Sequence, residues 1–202
     1  EVQEEITHKI EQFYFKEGHN YDINNHQNLT NLFSDAWFIA GIDEYIKQRV
    51  EAQRSNQLPP FYVYMFDHRI PSSLSELFGK IDKYFGVSHV DELPYLFPID
   101  RYLFVSSSPT ENDIKLREAI LQMWVNFARE GNPTPADSNL TRWEPVTGYP
   151  FNYARLGHKI PEEFTVLQME REMNYSDRMN FWRQLKAHIP AEQRKRQLRD
   201  EL

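Results

Sequence analysis

Six consecutive residues, Phe61-Tyr62-Val63-Tyr64-Met65-Phe66, set the strongest limit on what this chain folds into. The run is dense in aromatic and β-branched side chains, which predicts a strand, and it lacks polar alternation, which predicts burial on both faces as in a helix-covered parallel sheet. Such a strand carries unpaired backbone donors and acceptors along its edges and needs neighbouring strands. Few others are visible in the sequence. The run is also far short of the ~20 residues that a membrane-spanning helix requires, so no transmembrane segment is predicted.

Helical stripes flank the run. Ile6, Ile10 and Phe13 predict an amphipathic helix over residues 5–16, ended by Gly18. Residues 19–31 are polar and Asn-rich and read as a loop, after which Ser34-Asp35 offers an N-cap for a helix carrying Ile39, Ile42, Ile46 and Val50 and stopping before Leu58-Pro59-Pro60. Residues 71–84 are weakly patterned and read as surface loop with room for a short turn of helix. Thr110-Glu111-Asn112-Asp113 is a capping-box start. Behind it, Leu116, Ile120, Met123, Trp124 and Phe127 form a core face that Gly131-Asn132-Pro133 terminates. A short strand around Tyr153 to Leu156 and a last helix with Met179, Trp182 and Leu185 complete the pattern, giving an α/β chain.

Several chemistries are unsupported. Thirty acids against 23 bases give a net charge of −7, which offers no footprint for nucleic acid. The one basic cluster, Arg194-Lys195-Arg196 with Arg199, reads as a solvated helix end. There is no cysteine, hence no disulfide, thiolate nucleophile or Cys-based metal site. Histidines 8, 19, 26, 68, 158 and 188 show no metal-ligand spacing, and neither a metal nor a cofactor is expected. The glycines stand at 18, 41, 79, 86, 131, 148 and 157, no two of them four apart, so the Gly-x-Ser-x-Gly elbow of a serine hydrolase is missing.

What remains is one histidine in the segment Gly86-Val87-Ser88-His89-Val90-Asp91-Glu92-Leu93-Pro94-Tyr95-Leu96-Phe97. It sits on a short loop before an apolar run, a placement that suits a catalytic side chain, and an imidazole gains and loses a proton near neutral pH. His89 is therefore a candidate general base. Asp91 and Glu92 are tempting as its acid partner but read as N-cap and first-turn acids of the next helix.

This segment resembles the histidine-bearing segment of the type-B carboxylesterases, the family of cholinesterases and insect juvenile hormone esterases, where a Gly-x-x-His-Gly or Gly-x-x-His-Val run precedes two acids and an apolar stretch ending in Phe. Trp124-Val125-Asn126-Phe127-Ala128-Arg129-Glu130-Gly131-Asn132-Pro133 resembles the same family's Trp-x-x-Phe-Ala-x-x-Gly-x-Pro. Trp143-Glu144-Pro145 continues the order, so the likeness runs from about residue 30 to residue 188.

The resemblance implies that residues 1–202 are the C-terminal part of one α/β-hydrolase domain, the last strands of its sheet with packing helices, and not an independent domain. It implies a serine carboxylic ester hydrolase in which His89 serves a serine and an acid carried by an upstream segment or companion chain, acting on a small apolar ester or other hydrophobic ligand. Val90, where glycine often stands, reads as a juvenile hormone esterase-like trait. The family also has noncatalytic adhesion members, so an inactive ligand-binding or adhesion protein is the alternative. The aromatic content, 14% of residues, fits a piece whose burial partners lie partly elsewhere.

Compartment signals are few. Asn28-Leu29-Thr30, Asn139-Leu140-Thr141 and Asn174-Tyr175-Ser176 are N-glycosylation sequons and point to a secretory route. The terminal Arg199-Asp200-Glu201-Leu202 resembles the signals that retain soluble proteins in the endoplasmic reticulum lumen.

Overall fold

The computed structural model describes residues 2–16, 26–55, 58–70, 73, 85–98, 108–160, 163–171 and 175–188. In chain order the elements are α1 (Val2–Phe15), α2 (His26–Ser34), a π-helical turn (Asp35–Ile39), α3 (Ala40–Ser55), β1 (Tyr64–Phe66), the single turn α4 (Leu93–Leu96), α5 (Glu111–Glu130), β2 (Tyr153–Ile160), β3 (Glu163–Glu170) and α6 (Ser176–His188). They divide into two compact units, residues 1–51 with 173–202, and residues 52–172.

In the first unit, α2, the π turn and α3 run on without a break, which corrects two expectations. Residues 26–31 are helical rather than loop, with Gln27 Nε2 donating to Asn31 Oδ1 one turn on at 3.0 Å. Ser34 is mid-helix, at φ −60° and ψ −43°, and caps nothing. The reason lies in Asp35, whose side chain is wholly buried and turned toward α1 and α6 rather than toward its own helix. Its Oδ2 accepts from the Tyr14 hydroxyl at 2.7 Å and lies 2.7 Å from Arg178 Nε, while Arg178 Nη2 donates to Oδ1 at 3.1 Å. Trp182 Nε1 in turn donates to the Tyr14 oxygen at 2.7 Å. Burial, reinforced by the neighbouring Asp35 carboxylate, pushes the Tyr14 phenol well above its ordinary value, so it stays a donor. The Ala40 N–H reaches back five residues to the Asp35 carbonyl, the bond that widens the helix there.

Arg183 pairs with Asp43 at 2.5 Å and Lys186 with Glu44 at 2.5 Å, fastening α6 along α3. Ile46 and Val50 are buried as predicted, but Ile42 is exposed, and so are Phe33, Trp37 and Tyr45, with Trp37 at 70%. On α1, Tyr14 is the deeply buried residue, whereas Phe13 is exposed enough to stack on Phe181 at 4.1 Å between centroids. Gly18 lies outside the described residues.

Among the described residues, the second unit holds a three-stranded mixed sheet with α5 packed on it. β1 runs parallel to β2, with Tyr64 beside Ala154 and Phe66 beside Leu156, and β2 pairs antiparallel with β3. β1 is shorter than the six-residue run and half-buried rather than buried on both faces. Phe61 and Val63 use their carbonyls instead to accept from Val146 and Ala154 N–H, at 2.9 Å each. β3 was not visible in the sequence, because apolar residues at 164, 166, 167 and 169 follow neither period 2 nor period 3.6.

α5 forms as expected. Thr110 and Asp113 make a complete capping box, and Gly131, at φ +67°, ends the helix in the left-handed conformation. Leu116, Ala119, Ile120 and Met123 bury against Trp143, Ala154, Leu156 and Leu167. Phe127, predicted on this face, is half-exposed, being one turn past the point where the sheet covers the helix.

Candidate active site

Residues 85–98 carry His89 out of the second unit's core and bring the chain back to it. Gly86 sits at φ +108°, a conformation open to glycine, and His89 stands exposed on the turn that follows. The next residue, Val90, has φ +71°. A β-branched side chain in the left-handed region is strained, and such strain gathers at functional sites where the surroundings hold it. Replacing Val90 with glycine should relieve a left-handed penalty of about 1–2 kcal/mol against a glycine entropy cost of roughly 0.5–1 kcal/mol. A rise in stability of up to about 1.5 kcal/mol is therefore expected in urea unfolding; a loss would mean the turn is not strained.

Asp91 does something other than cap a helix. It is 1% exposed and its Oδ2 accepts from the Ser88 N–H at 2.8 Å and from the Ser73 hydroxyl at 2.9 Å. The expectation that it serves the following helix start is corrected: its carboxylate reaches back across His89. Glu92 does stand at the N-cap of α4, but with no side-chain capping bond. From there Leu93 and Phe97 continue the turn through hydrogen bonds to Val90 and Leu93 carbonyls.

A second buried carboxylate holds the far side. Asp113 Oδ2 takes the Thr110 N–H and hydroxyl, both at 2.6 Å, and its other oxygen, Oδ1, takes the Tyr95 hydroxyl at 2.8 Å and His68 Nε2 at 2.7 Å. A carboxylate only accepts, so His68 carries its proton on Nε2. Burial alone raises the Asp113 carboxyl, but donation from Thr110, Tyr95 and His68 outweighs it and holds the group below its usual value of 3.8. Burial, with Asp113 adjoining, pushes the Tyr95 phenol far up. A depressed carboxyl stabilises the fold above its unfolded value and ceases to do so as pH falls through the folded one. The thermal midpoint should therefore fall as pH drops below about 4, and Asp113→Asn should flatten that acid limb. An unchanged slope between pH 5 and 3 would refute the assignment.

A third cluster follows β1 directly. Asp67 Oδ2 accepts from Arg155 Nε at 2.8 Å and His158 Nδ1 at 2.6 Å. His68 and His158, which showed no metal spacing in the sequence, are thus both tied to carboxylates and fasten the end of β1 to α5 and β2. The sequence held a signal only for Asp113, as a capping residue; the partners 45 and 88 or more positions away had none. Of the sequon asparagines, Asn28 is half-buried on α2 and Asn139 is exposed, its Oδ1 accepting from Gln122 at 3.3 Å. Asn174, the basic cluster and Arg199-Asp200-Glu201-Leu202 lie outside the described residues. Among those residues no helix is long and apolar enough to cross a membrane.

The family model described as carboxylesterase family matches residues 1–182. A fatty acyl-CoA hydrolase precursor, medium chain, from Anas platyrhynchos is 29% identical over 83% of the chain and 26% of its own length. Juvenile hormone esterase from Tribolium castaneum is 35% identical over 56% of the chain and 20% of its length, and human neuroligin-2 is 24% identical over 80% and 19%. The chain spans about a quarter or less of the length of these relatives.

Proposed function

The chain belongs to the carboxylesterase family and carries part of its α/β-hydrolase fold, and from that premise we propose that it is the C-terminal segment of a serine carboxylic ester hydrolase with His89 as general base. The observation that carries this reading is an exposed histidine at the apex of a strained turn that a buried carboxylate closes from within. His89 takes the proton from a serine hydroxyl as that oxygen attacks the ester carbonyl, then gives it to the departing alkoxide; water later cleaves the acyl-enzyme by the same relay. Serine and acid come from a companion segment of the same domain, the acid holding the other ring nitrogen. The substrate class is a small apolar ester.

Two surfaces support the need for that companion. β1 stands at the edge of the three strands, beside a groove of about 300 Å³ lined by Phe61, Tyr64, Trp124, Phe127 and Trp143. The stripe Phe33, Trp37, Ile42 and Tyr45 is exposed on its own unit. In this reading residues 1–202 are one part of a single hydrolase domain and do not fold alone. The sequons at Asn28, Asn139 and Asn174 are its candidate glycan acceptors, and they place it on a secretory route.

The test is fluorophosphonate labelling and aryl-ester hydrolysis by the assembled domain, with labelling expected on the companion segment. An assembly with an elbow serine in place that neither labels nor hydrolyses would overturn the proposal. The second reading is a catalytically inactive ligand-binding or adhesion protein on the same fold, favoured by the likeness to neuroligin-2. The residue at the elbow position separates the two.

A further inference from the structure

His89 stands on a turn, not on a helix or strand, so something must hold its backbone against the relaxation that Val90 favours. Asp91 does this locally. Its carboxylate bonds to the N–H of Ser88, so one buried side chain ties residue 91 to residue 88 across the His89-Val90 pair, and Ser73 holds the carboxylate from outside the turn. The chain then enters α4, where the Tyr95 ring lies 5.5 Å from Phe66 and its hydroxyl donates to Asp113. Asp113 belongs to the capping box of a 20-residue helix. A cap needs only Oδ2; here Oδ1 is given to Tyr95 and to His68, which follows β1. One carboxylate thus closes the histidine turn from inside, and the other, at the N-terminus of α5, holds Tyr95 on the single helical turn into which the histidine segment runs.

We propose that Asp91 and Asp113, the latter through Tyr95, are positioning residues for His89. This rests on the reading of His89 as general base. Neither acid takes the proton; each fixes where the imidazole is presented, and a misplacement of about 1 Å in a reacting group costs up to 100-fold in rate. Tyr95→Phe is the cleanest probe, since it keeps the buried ring and the helix cap and deletes one hydroxyl. Asp91→Asn keeps the size of the side chain and removes its charge.

The experiment measures aryl-ester turnover per fluorophosphonate-labelled site in the assembled domain, alongside the thermal midpoint. Tyr95→Phe and Asp91→Asn should each lower kcat about tenfold with KM within about twofold. Val50→Ala, on the buried face of α3 in the other unit, should lower the midpoint and leave turnover per labelled site unchanged. If Tyr95→Phe and Asp91→Asn lower the midpoint but turn over like wild type per labelled site, the network is structural only and the inference fails. A wild-type assembly that neither labels nor turns over overturns the esterase reading, and this inference with it.

Discussion

With His89 as the proposed general base, its replacement by alanine in the assembled domain should lower kcat for an aryl ester by about 10⁴-fold or more, with KM little changed. The size follows from the work assigned to one group. Without the imidazole a serine hydroxyl attacks as a weak nucleophile, and the alkoxide leaves without its proton; both steps of the acyl-enzyme cycle fail together. The residual rate is what substrate binding and oxyanion donors supply. Fluorophosphonate labelling should slow in parallel, because it uses the same activated hydroxyl. The fold should not suffer, since His89 is exposed on its turn and the buried clamps at Asp91 and Tyr95 are untouched. A variant that keeps more than a tenth of wild-type turnover would remove His89 from the chemistry, and attention would pass to His68 and His158, the histidines already paired with carboxylates.

Local signals were legible to the extent that their physics is local. Thr110 and Asp113 lie three residues apart and satisfy each other's backbone, so the start of α5 could be read, as could its end at Gly131. The exposed setting of His89 follows from Gly86 before it and an apolar run after it. What escaped was set by distant partners. Ser34-Asp35 reads as a helix start until Arg178, 143 positions away, claims the aspartate and the helix runs through it. Asp91 reads as a cap until its carboxylate is seen to bond backward to Ser88. β3 carries no clean periodicity because residues on both of its faces meet apolar neighbours, Phe164 and Val166 as well as Leu167 and Met169 lying in or against the core.

Gly157 shows how closely the sheet is fitted to this network, and Gly157→Ala should cost about 2–5 kcal/mol of stability. Two penalties combine. The residue has φ +74°, where an L side chain pays about 1–2 kcal/mol. An added Cβ would also stand 2.5 Å from His68 Cβ and 2.7 Å from Leu116 Cδ2. Neither neighbour yields easily: His68 Cβ is fixed at the root of a ring bonded to Asp113, and Leu116 is fully buried in the core of α5. Forcing a methyl into such a site costs about 1–3 kcal/mol. The displaced ring would also loosen the Asp113 hub, so on the proposed reading ester turnover of the assembled domain should fall along with the urea midpoint. Gly41→Ala provides the contrast, since on α3 its Cβ meets nothing within 4 Å and should be neutral or stabilising by about 0.5–1 kcal/mol. If Gly157→Ala unfolds within 0.5 kcal/mol of wild type while Gly41→Ala behaves as stated, β2 does not lie against His68 as described, and the link from the sheet to the histidine turn is broken at that point.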